Sequence, residues 1–572
     1  MICDDGRKSI RRMAISTHIS KTSTAVDLSA GRSNLLTRID LRNLGLLALG
    51  FVCVLVFVSP VRAFPIADDW IYAHSVGDLL NWDYKMPLES QANLVSHVAW
   101  GAIFAALFGN NFTVLTISTL VMSLLCLAIF YILLRHLDIA PSHALLGTAL
   151  LGFNPLYIFL SYSFMTELTF ITYMLAACLF FVRGMRGYGE HWFWLSSVVI
   201  VLSYLARQHG LLILVAALAC LYWSRMWTWR RALSITLLPV LVIAAYMAWE
   251  RTQPPAVGAV VMTNNIQSFM YDPVTYIARR GQGIGWIVLS MGLYLAPLAR
   301  LPRRRLLLIP IFGLLALSLA ISVRFWGSAF PVNGNVLDNT GFVMWYYHAA
   351  PIWAEWVWLS LGVVSAAILS LYLAALGEDV HDWWRARRER TADPALMLYL
   401  LASAMAAVIV IIMPTLNDRY MLPLLPIVMI PALRRMSAVT KEAGSRQYAP
   451  NLRRWAPLAL LTLFSVIGQR DYMEHLTVRW NEAESLAVQG VPRYQIDGGA
   501  EWQGQYLYED GVRRLREKGE FPPHSFPPFA VLDPTYLISD VPVEGYIQVD
   551  SQPYVSWLNG GQERHVLVLR RR

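Results

Sequence analysis

Long apolar runs separated by short, arginine-bearing polar breaks occupy most of the chain, and they set the first expectation. The run 43–63 is long enough to cross a hydrocarbon core. Further spans are predicted at roughly 111–134, 142–160, 168–183, 191–205, 209–224, 233–249, 283–299, 306–322, 352–376, 394–413, 420–433 and 455–468. That makes about thirteen membrane-spanning helices. The stretch 92–108 is apolar too, but Ser96, His97 and Trp100 interrupt it. It reads as a helix lying on the membrane surface, inside a first outer loop at 64–110. Residues 1–42 are rich in Ser, Thr and Arg and read as a disordered cytoplasmic segment. Residues 469–572 are polar enough for one small soluble domain. Its end (FAVLDPTYLI, EGYIQVD, ERHVLVLRRR) alternates as strands do between Pro and Gly breaks. The fold expected is an all-α polytopic membrane domain at 43–468, followed by a small α/β domain outside the membrane.

Charge fixes an orientation for this pattern. Arg183 and Arg186; Arg225, Arg230 and Arg231; Arg300, Arg303, Arg304 and Arg305 fall in every second loop. Arg385, Arg387, Arg388 and Arg390, then Arg434, Arg435, Arg453 and Arg454, continue the alternation. The intervening loops hold isolated residues such as Arg62, Arg207, Arg324 and Arg419. The positive-inside rule then places the N-terminus in the cytoplasm and 469–572 outside. A span at 92–108 would reverse this downstream, which favours the surface reading.

Composition agrees with lipid as the main solvent: 56% of the 572 residues are hydrophobic and 15% charged. The net charge of +9 comes from those inner loops, which argues against nucleic acid as a partner. Of five cysteines, Cys53, Cys126, Cys178 and Cys220 lie in apolar runs and Cys3 near the N-terminus. With no CxxC or Cys/His cluster, neither a disulfide framework nor a metal site is indicated.

The outer loops carry the candidate chemistry. The first reads FPIADDWIYAHSVGDLLNWDYKMPLES, and its Asp68 and Asp69 are adjacent carboxylates at a membrane boundary. Neighbouring, partly buried carboxylates raise each other's pKa, which suits a general base; equally, Asp starts helices well. Lys85 in this loop and His97 beyond it are further cations. The second loop, NPLYIFLSYSFMTELTF, offers Glu167, either a catalytic carboxylate or an ordinary first-turn acid. The third, ARQHG, interrupts an apolar run with Arg207, Gln208 and His209. Its arginine suits a phosphate, or snorkels to the headgroups. The turn NDRYMLPLLP holds Arg419, a phosphate ligand or the partner of Asp418. Two acidic sites and two cationic sites on one face can activate an acceptor and stabilise a departing phosphate. No nucleotide-binding loop is evident.

In DDWIYA, NPLYIFLSYSFMTE, ARQHG, DRYMLPLLP and the later GVPRYQIDGGAEWQG, the chain resembles the GT-C superfamily of polyprenyl-phosphate-dependent glycosyltransferases. The nearest branch holds protein O-mannosyltransferase-like enzymes of family 39 and the aminoarabinose transferase of lipid A. The pieces span 65–504, and 250–395 matches none of them. The resemblance implies a first-loop acid as the base, Asp68 ahead of Asp69, and two interfacial helices in that loop. It also implies that Arg207 and Arg419 lie near the donor phosphate; Glu167 matches a position where relatives often carry Asp.

The expectation is an inner-membrane glycosyltransferase. It moves a sugar from a polyprenyl-phosphate donor to an acceptor glycolipid, glycan or protein in the periplasm or its equivalent. Catalytic candidates are Asp68, Asp69 and Glu167; donor-phosphate candidates are Arg207, His209, Arg419, Lys85 and His97. No cofactor and no metal are expected. The rival is a transporter or flippase of lipid-linked sugars, which would place its ionisable residues near the midplane on broken helices.

Overall fold

The structure is a computed structural model. It describes residues 36–88, 90, 92–253, 257–326, 335–342, 349–387, 393–413, 417–442, 452–517 and 534–572. Most of the segment 1–42 expected to be disordered therefore lies outside the described residues, and its end already belongs to a helix.

That helix, α1 (Arg38–Phe57), opens on a capping box: the Thr37 hydroxyl accepts from Asp40 N–H and Asp40 accepts from Thr37 N–H. Asp40 also ties α1 to α4 (Phe112–His136), accepting from Arg135 Nε at 2.7 Å and from the Tyr131 hydroxyl at 2.8 Å. Between these helices the chain makes α2 (Asp69–Leu80) and α3 (Val95–Phe108), two short helices in the first loop. The outer face of α3 presents Ile103, Leu107 and Phe108 to the surroundings, as a helix bedded in a lipid surface would.

The expected span 142–160 is broken. Helix α5 (Pro141–Gly152) and α6 (Pro155–Ser161) meet at 63°. Pro155 cannot continue the first helix, and Asn154 caps the second by accepting from Tyr157 N–H at 3.0 Å. Next come α7 (Thr166–Met185), α8 (His191–Ala206), α9 (Leu211–Trp223) and α10 (Trp229–Glu250). Helix α7 packs between α4 and α8.

The unassigned region supplies α11 (Val257–Tyr271), α12 (Pro273–Leu295), α13 (Leu308–Trp326) and a hairpin of β1 (Leu337–Asp338) and β2 (Gly341–Phe342). Then follow α14 (Glu355–Arg387), α15 (Ala395–Ile411) and α16 (Leu425–Glu442). Helix α12 packs on α13 and α14, and α15 joins this group to α9. Inner-loop arginines find acids here: Arg300 with Asp379 at 2.6 Å, and Arg434 with Asp393 at 2.8 Å.

The chain is mostly helical with several apolar helices, but thirteen full-length spans are not found. Among the described residues five helices are long and apolar enough to cross a membrane, or six with the bent pair, and six more apolar helices are shorter. Charged turns cut the apolar runs: α8 and α9 stop on either side of Arg207, whose backbone is extended at φ −147°.

The last helix of the membrane set, α17 (Leu452–Val488), does not end at 468 but runs on unbroken, so the expected boundary at 469 falls inside it. Beyond it lie β3 (Ile496–Asp497), α18 (Ala500–Glu517), β4 (Tyr536–Ser539), β5 (Tyr546–Ser556) and β6 (Gln562–Arg571). They form the small C-terminal sheet, ordered β3-β4-β6-β5, with β3 parallel to β4 and the other pairs antiparallel.

Candidate active site

The start of α2 shows why Asp68 and Asp69 differ. Ala67 holds φ at +56°, a left-handed conformation uncommon for a residue with a side chain, and it turns the chain sharply before Asp68. Asp68 then occupies the N-cap position of α2, yet its side chain makes no capping hydrogen bond. Its carboxylate points elsewhere, with Oδ2 3.7 Å from Arg419 Nη1. Burial, together with the nearby carboxylates of Glu167 and Glu501, keeps its pKa above the ordinary range against the pull of Arg419.

Asp69 is wholly enclosed. Its carboxylate pairs with Arg62 and accepts from Phe164 N–H at 2.7 Å and Ile66 N–H at 3.3 Å. Arg62 also donates to Thr116 Oγ1 and to the carbonyl of Phe64. This knot fastens the first loop to α4 and to the turn before α7. Burial pushes the Asp69 carboxyl up to about 6, against the pull of Arg62.

Glu167, in the first turn of α7, gathers the two cations. Its Oε1 lies 2.7 Å from Arg207 Nη1 and 3.5 Å from Arg419 Nε. Arg207 can be there because the turn after α8 is very tight: a Cβ on Gly210 would meet backbone atoms of Tyr204 and Ser203 at 2.3 and 2.5 Å. Arg419 sits in a short 3-10 turn before α16. Its neighbour Asp418 does not pair with the guanidinium. Asp418 instead accepts from Leu337 N–H at 3.0 Å and Val336 N–H at 3.2 Å, anchoring the β1–β2 hairpin.

The result is a narrow cleft with Glu167, Arg207, His209, Arg419 and Tyr420 in its wall. Its other wall, Phe170 with Met405, Ile409 and Met413, is apolar. Tyr420 lies beneath both guanidinium groups, at 5.7 Å from Arg207 and 5.5 Å from Arg419. Nε and Nη1 of Arg419 are buried and have no hydrogen-bond partner among the described residues. Unsatisfied buried donors at a charged fork are what an incoming oxyanion would satisfy.

Two sequence candidates stand apart from this cluster. Lys85 is exposed and pairs with Asp83 at 2.9 Å. The ring nitrogens of buried His97 are taken by Thr169 Oγ1 at 2.9 Å and by the Phe164 carbonyl at 3.2 Å, so it braces the structure behind the cleft. Two residues not singled out from the sequence join the cluster. Tyr72 is half-buried near Asp68 and Glu167, its hydroxyl held well above the ordinary tyrosine range by desolvation and by those carboxylates. Glu501 comes from α18, and α18 itself rests on α2, where Trp70 meets Gly504 and Tyr508. Among the described residues no group of three His, Cys, Asp or Glu could hold a metal ion.

Comparison with known proteins bears on residues 97–249. They match the family described as dolichyl-phosphate-mannose-protein mannosyltransferase. Over that segment the chain is similar to this family. The match takes in Glu167, Arg207 and His209 and stops short of Asp68 and Arg419. No curated protein matches the sequence. Among solved structures, the Archaeoglobus fulgidus oligosaccharyltransferase in the apo form is 13% identical, at a TM-score of 0.42, over 88% of this chain and 69% of that one. ArnT from Cupriavidus metallidurans bound to undecaprenyl phosphate is 12% identical, at a TM-score of 0.39, over 92% of this chain and 98% of that one. Its apo state gives 13% and 0.41 over the same shares. All three scores describe a loose likeness. Apolar helices long enough to cross a membrane thus accompany a segment similar to that mannosyltransferase family.

Proposed function

We propose that the protein transfers one sugar from a polyprenyl-phosphate-linked donor to an acceptor on the outer face of the membrane, with Asp68 as general base. The acceptor hydroxyl or amine gives its proton to Asp68 as its oxygen or nitrogen bonds to the anomeric carbon of the sugar. The bond from that carbon to the phosphate oxygen breaks, and the electron pair leaves with the polyprenyl phosphate. Arg207 and Arg419 take up the charge that develops on the phosphate. A single displacement of this kind inverts the anomeric centre. Glu167 is a positioning residue that holds both guanidinium groups, and the apolar wall of α7 and α15 suits the start of the isoprenoid tail.

One observation carries the reading. Asp68, released from capping its own helix, stands 3.7 Å from an arginine with two unsatisfied buried N–H groups. The family match of the neighbouring segment, to enzymes named for a lipid-phosphate sugar, supports it. The arginine alternation supports a cytoplasmic N-terminus and a periplasmic, or equivalent, C-terminal domain. A cysteine at exposed position 562, in a background lacking the native cysteines, is then labelled from outside the cell without breaching the membrane.

The direct test is mass spectrometry of lipids and glycans from a strain lacking the gene, with binding of undecaprenyl phosphate to the purified protein. Loss of one sugar from a single class of glycolipid, glycan or glycoprotein, with micromolar lipid-phosphate binding, is the expected result. Loss of the same sugar with accumulation of the lipid-linked donor on the inner instead of the outer leaflet would replace this reading with the flippase.

A further inference from the structure

A second, partly open cavity lies under the C-terminal sheet, lined by α17, β5, β6 and the β1–β2 hairpin. It is separate from the arginine cleft and none of the sequence motifs reaches into it as chemistry. Its walls are of two kinds. Phe342, Ile352 and Leu558 give it apolar faces. Opposite them stand His475, Asp540 and Arg564: His475 Nε2 is 2.8 Å from Asp540 Oδ1, and Arg564 Nη2 donates to the Ala350 carbonyl at 2.9 Å. Tyr472 lines the same cavity, is only 7% exposed, and its hydroxyl has no hydrogen-bond partner among the described residues.

Arg479 pairs with Glu501 at 2.5 Å, Asp540 with His475, and Asp471 is satisfied by the Ser556 hydroxyl and two backbone N–H groups of the following turn. A phosphate or a carboxylate would meet the carboxylates of Asp471 and Asp540 as well as the guanidinium of Arg564. A neutral ligand with many hydroxyls would find apolar faces for its C–H surfaces and convergent donors and acceptors, the Tyr472 hydroxyl among them.

Two structural links run from this cavity to the cluster at Asp68. Through the wall residue Arg479, the pair with Glu501 reaches a carboxylate close enough to Asp68 to act on its charge. On another side the β1–β2 hairpin is pinned by Asp418, the residue next to Arg419. A ligand in the cavity therefore touches Arg479, the partner of Glu501, and the hairpin that Asp418 anchors next to Arg419.

We propose that this cavity binds a saccharide portion of the acceptor, so that the acceptor already carries sugar when it reaches Asp68. The inference rests on the reading of this protein as a transferase using a lipid-phosphate donor, and names its acceptor class. The test is saturation-transfer NMR on the full-length protein in detergent. The probes are neutral oligosaccharides released from the envelope of the source cells, with inorganic phosphate and unglycosylated envelope peptides as the other arms. Binding of undecaprenyl phosphate is followed in the same samples.

Saturation of oligosaccharide protons is expected in the native protein. It should weaken about tenfold in Tyr472→Phe, which removes the hydroxyl, and in Asp540→Asn, which exchanges a charged acceptor for a neutral amide. Undecaprenyl phosphate binding should stay unchanged in both. The inference is overturned if no oligosaccharide is saturated in protein that binds undecaprenyl phosphate, if both variants keep native saccharide binding, or if only phosphate or peptides bind. Saccharide binding in protein that fails to take undecaprenyl phosphate overturns the donor reading instead.

Discussion

Asp68 and Asp69 are neighbours in the chain, but their carboxylates serve different arginines, Asp68 facing Arg419 at 3.7 Å and Asp69 locked to Arg62. Successive residues at a helix start do not share a face, so one acid can stay available while the other is built into the scaffold. Replacement by Asn should separate the two roles. Asp68→Asn is expected to fold and bind donor while sugar transfer falls by about 10²–10⁴, the usual contribution of a general base. Asp69→Asn should instead lose stability by about 3–5 kcal/mol, because Arg62 is left buried without its counter-ion. Thermal unfolding and transfer rates of the purified variants check this; equal stability losses in both would sink the distinction.

Arg207 and Arg419 converge on Glu167, and removing either should weaken undecaprenyl phosphate binding. Alanine at either position should cost about tenfold or more. Lysine should restore part of the loss, since it keeps the charge without the fork. Native affinity in Arg419→Ala would mean that its unsatisfied N–H groups face no ligand.

The pH dependence of stability should carry a signature of Asp418, whose carboxyl burial pushes up to about 7 from 3.8. Between those values the folded protein holds a proton that the unfolded chain releases. Its contribution to stability is present below about pH 4 and is lost as pH rises through about 7. Asp418→Asn cannot titrate, so its Tm should fall less over that interval than that of the native protein. The same slope in both would assign the effect to other groups. For Asp68 the pKa is also raised, so transfer should fail on acidification earlier than an ordinary aspartate would dictate.

Gly210 makes the turn that delivers Arg207. An added methyl group would collide with the backbone of Tyr204 and Ser203, and neither can move without shifting α8. Gly210→Ala is therefore expected to lower the Tm and to weaken donor binding together. Unchanged binding at a lowered Tm would show that the turn matters to the fold alone.

Much of this site was legible in the order of the outer loops. Asp68, Glu167, Arg207, His209 and Arg419 were visible because charge inside an apolar run stands out. The choice between the two aspartates was not, since it depends on Ala67 turning the backbone and on Arg62 meeting Asp69 across the fold. Lys85 and His97 looked like ligands by type, but one ends in solvent and the other is satisfied by Thr169 and Phe164. The β1–β2 hairpin and Glu501 had no local signal, being placed by contacts between distant segments. The bend at Asn154-Pro155 was written in the sequence, but it was hidden by apolar residues on both sides.

The 37 residues of α17 make a rod about 55 Å long. The hydrocarbon core takes about 30 Å of such a rod, so most of the remainder stands clear of the lipid as a mast. The C-terminal sheet is bolted to that mast, and α18 to α2, which begins at the proposed base. The height of the proposed site above the bilayer is therefore fixed like that of a crane. On the proposed reading, an acceptor held in the membrane must project its reactive group to that height.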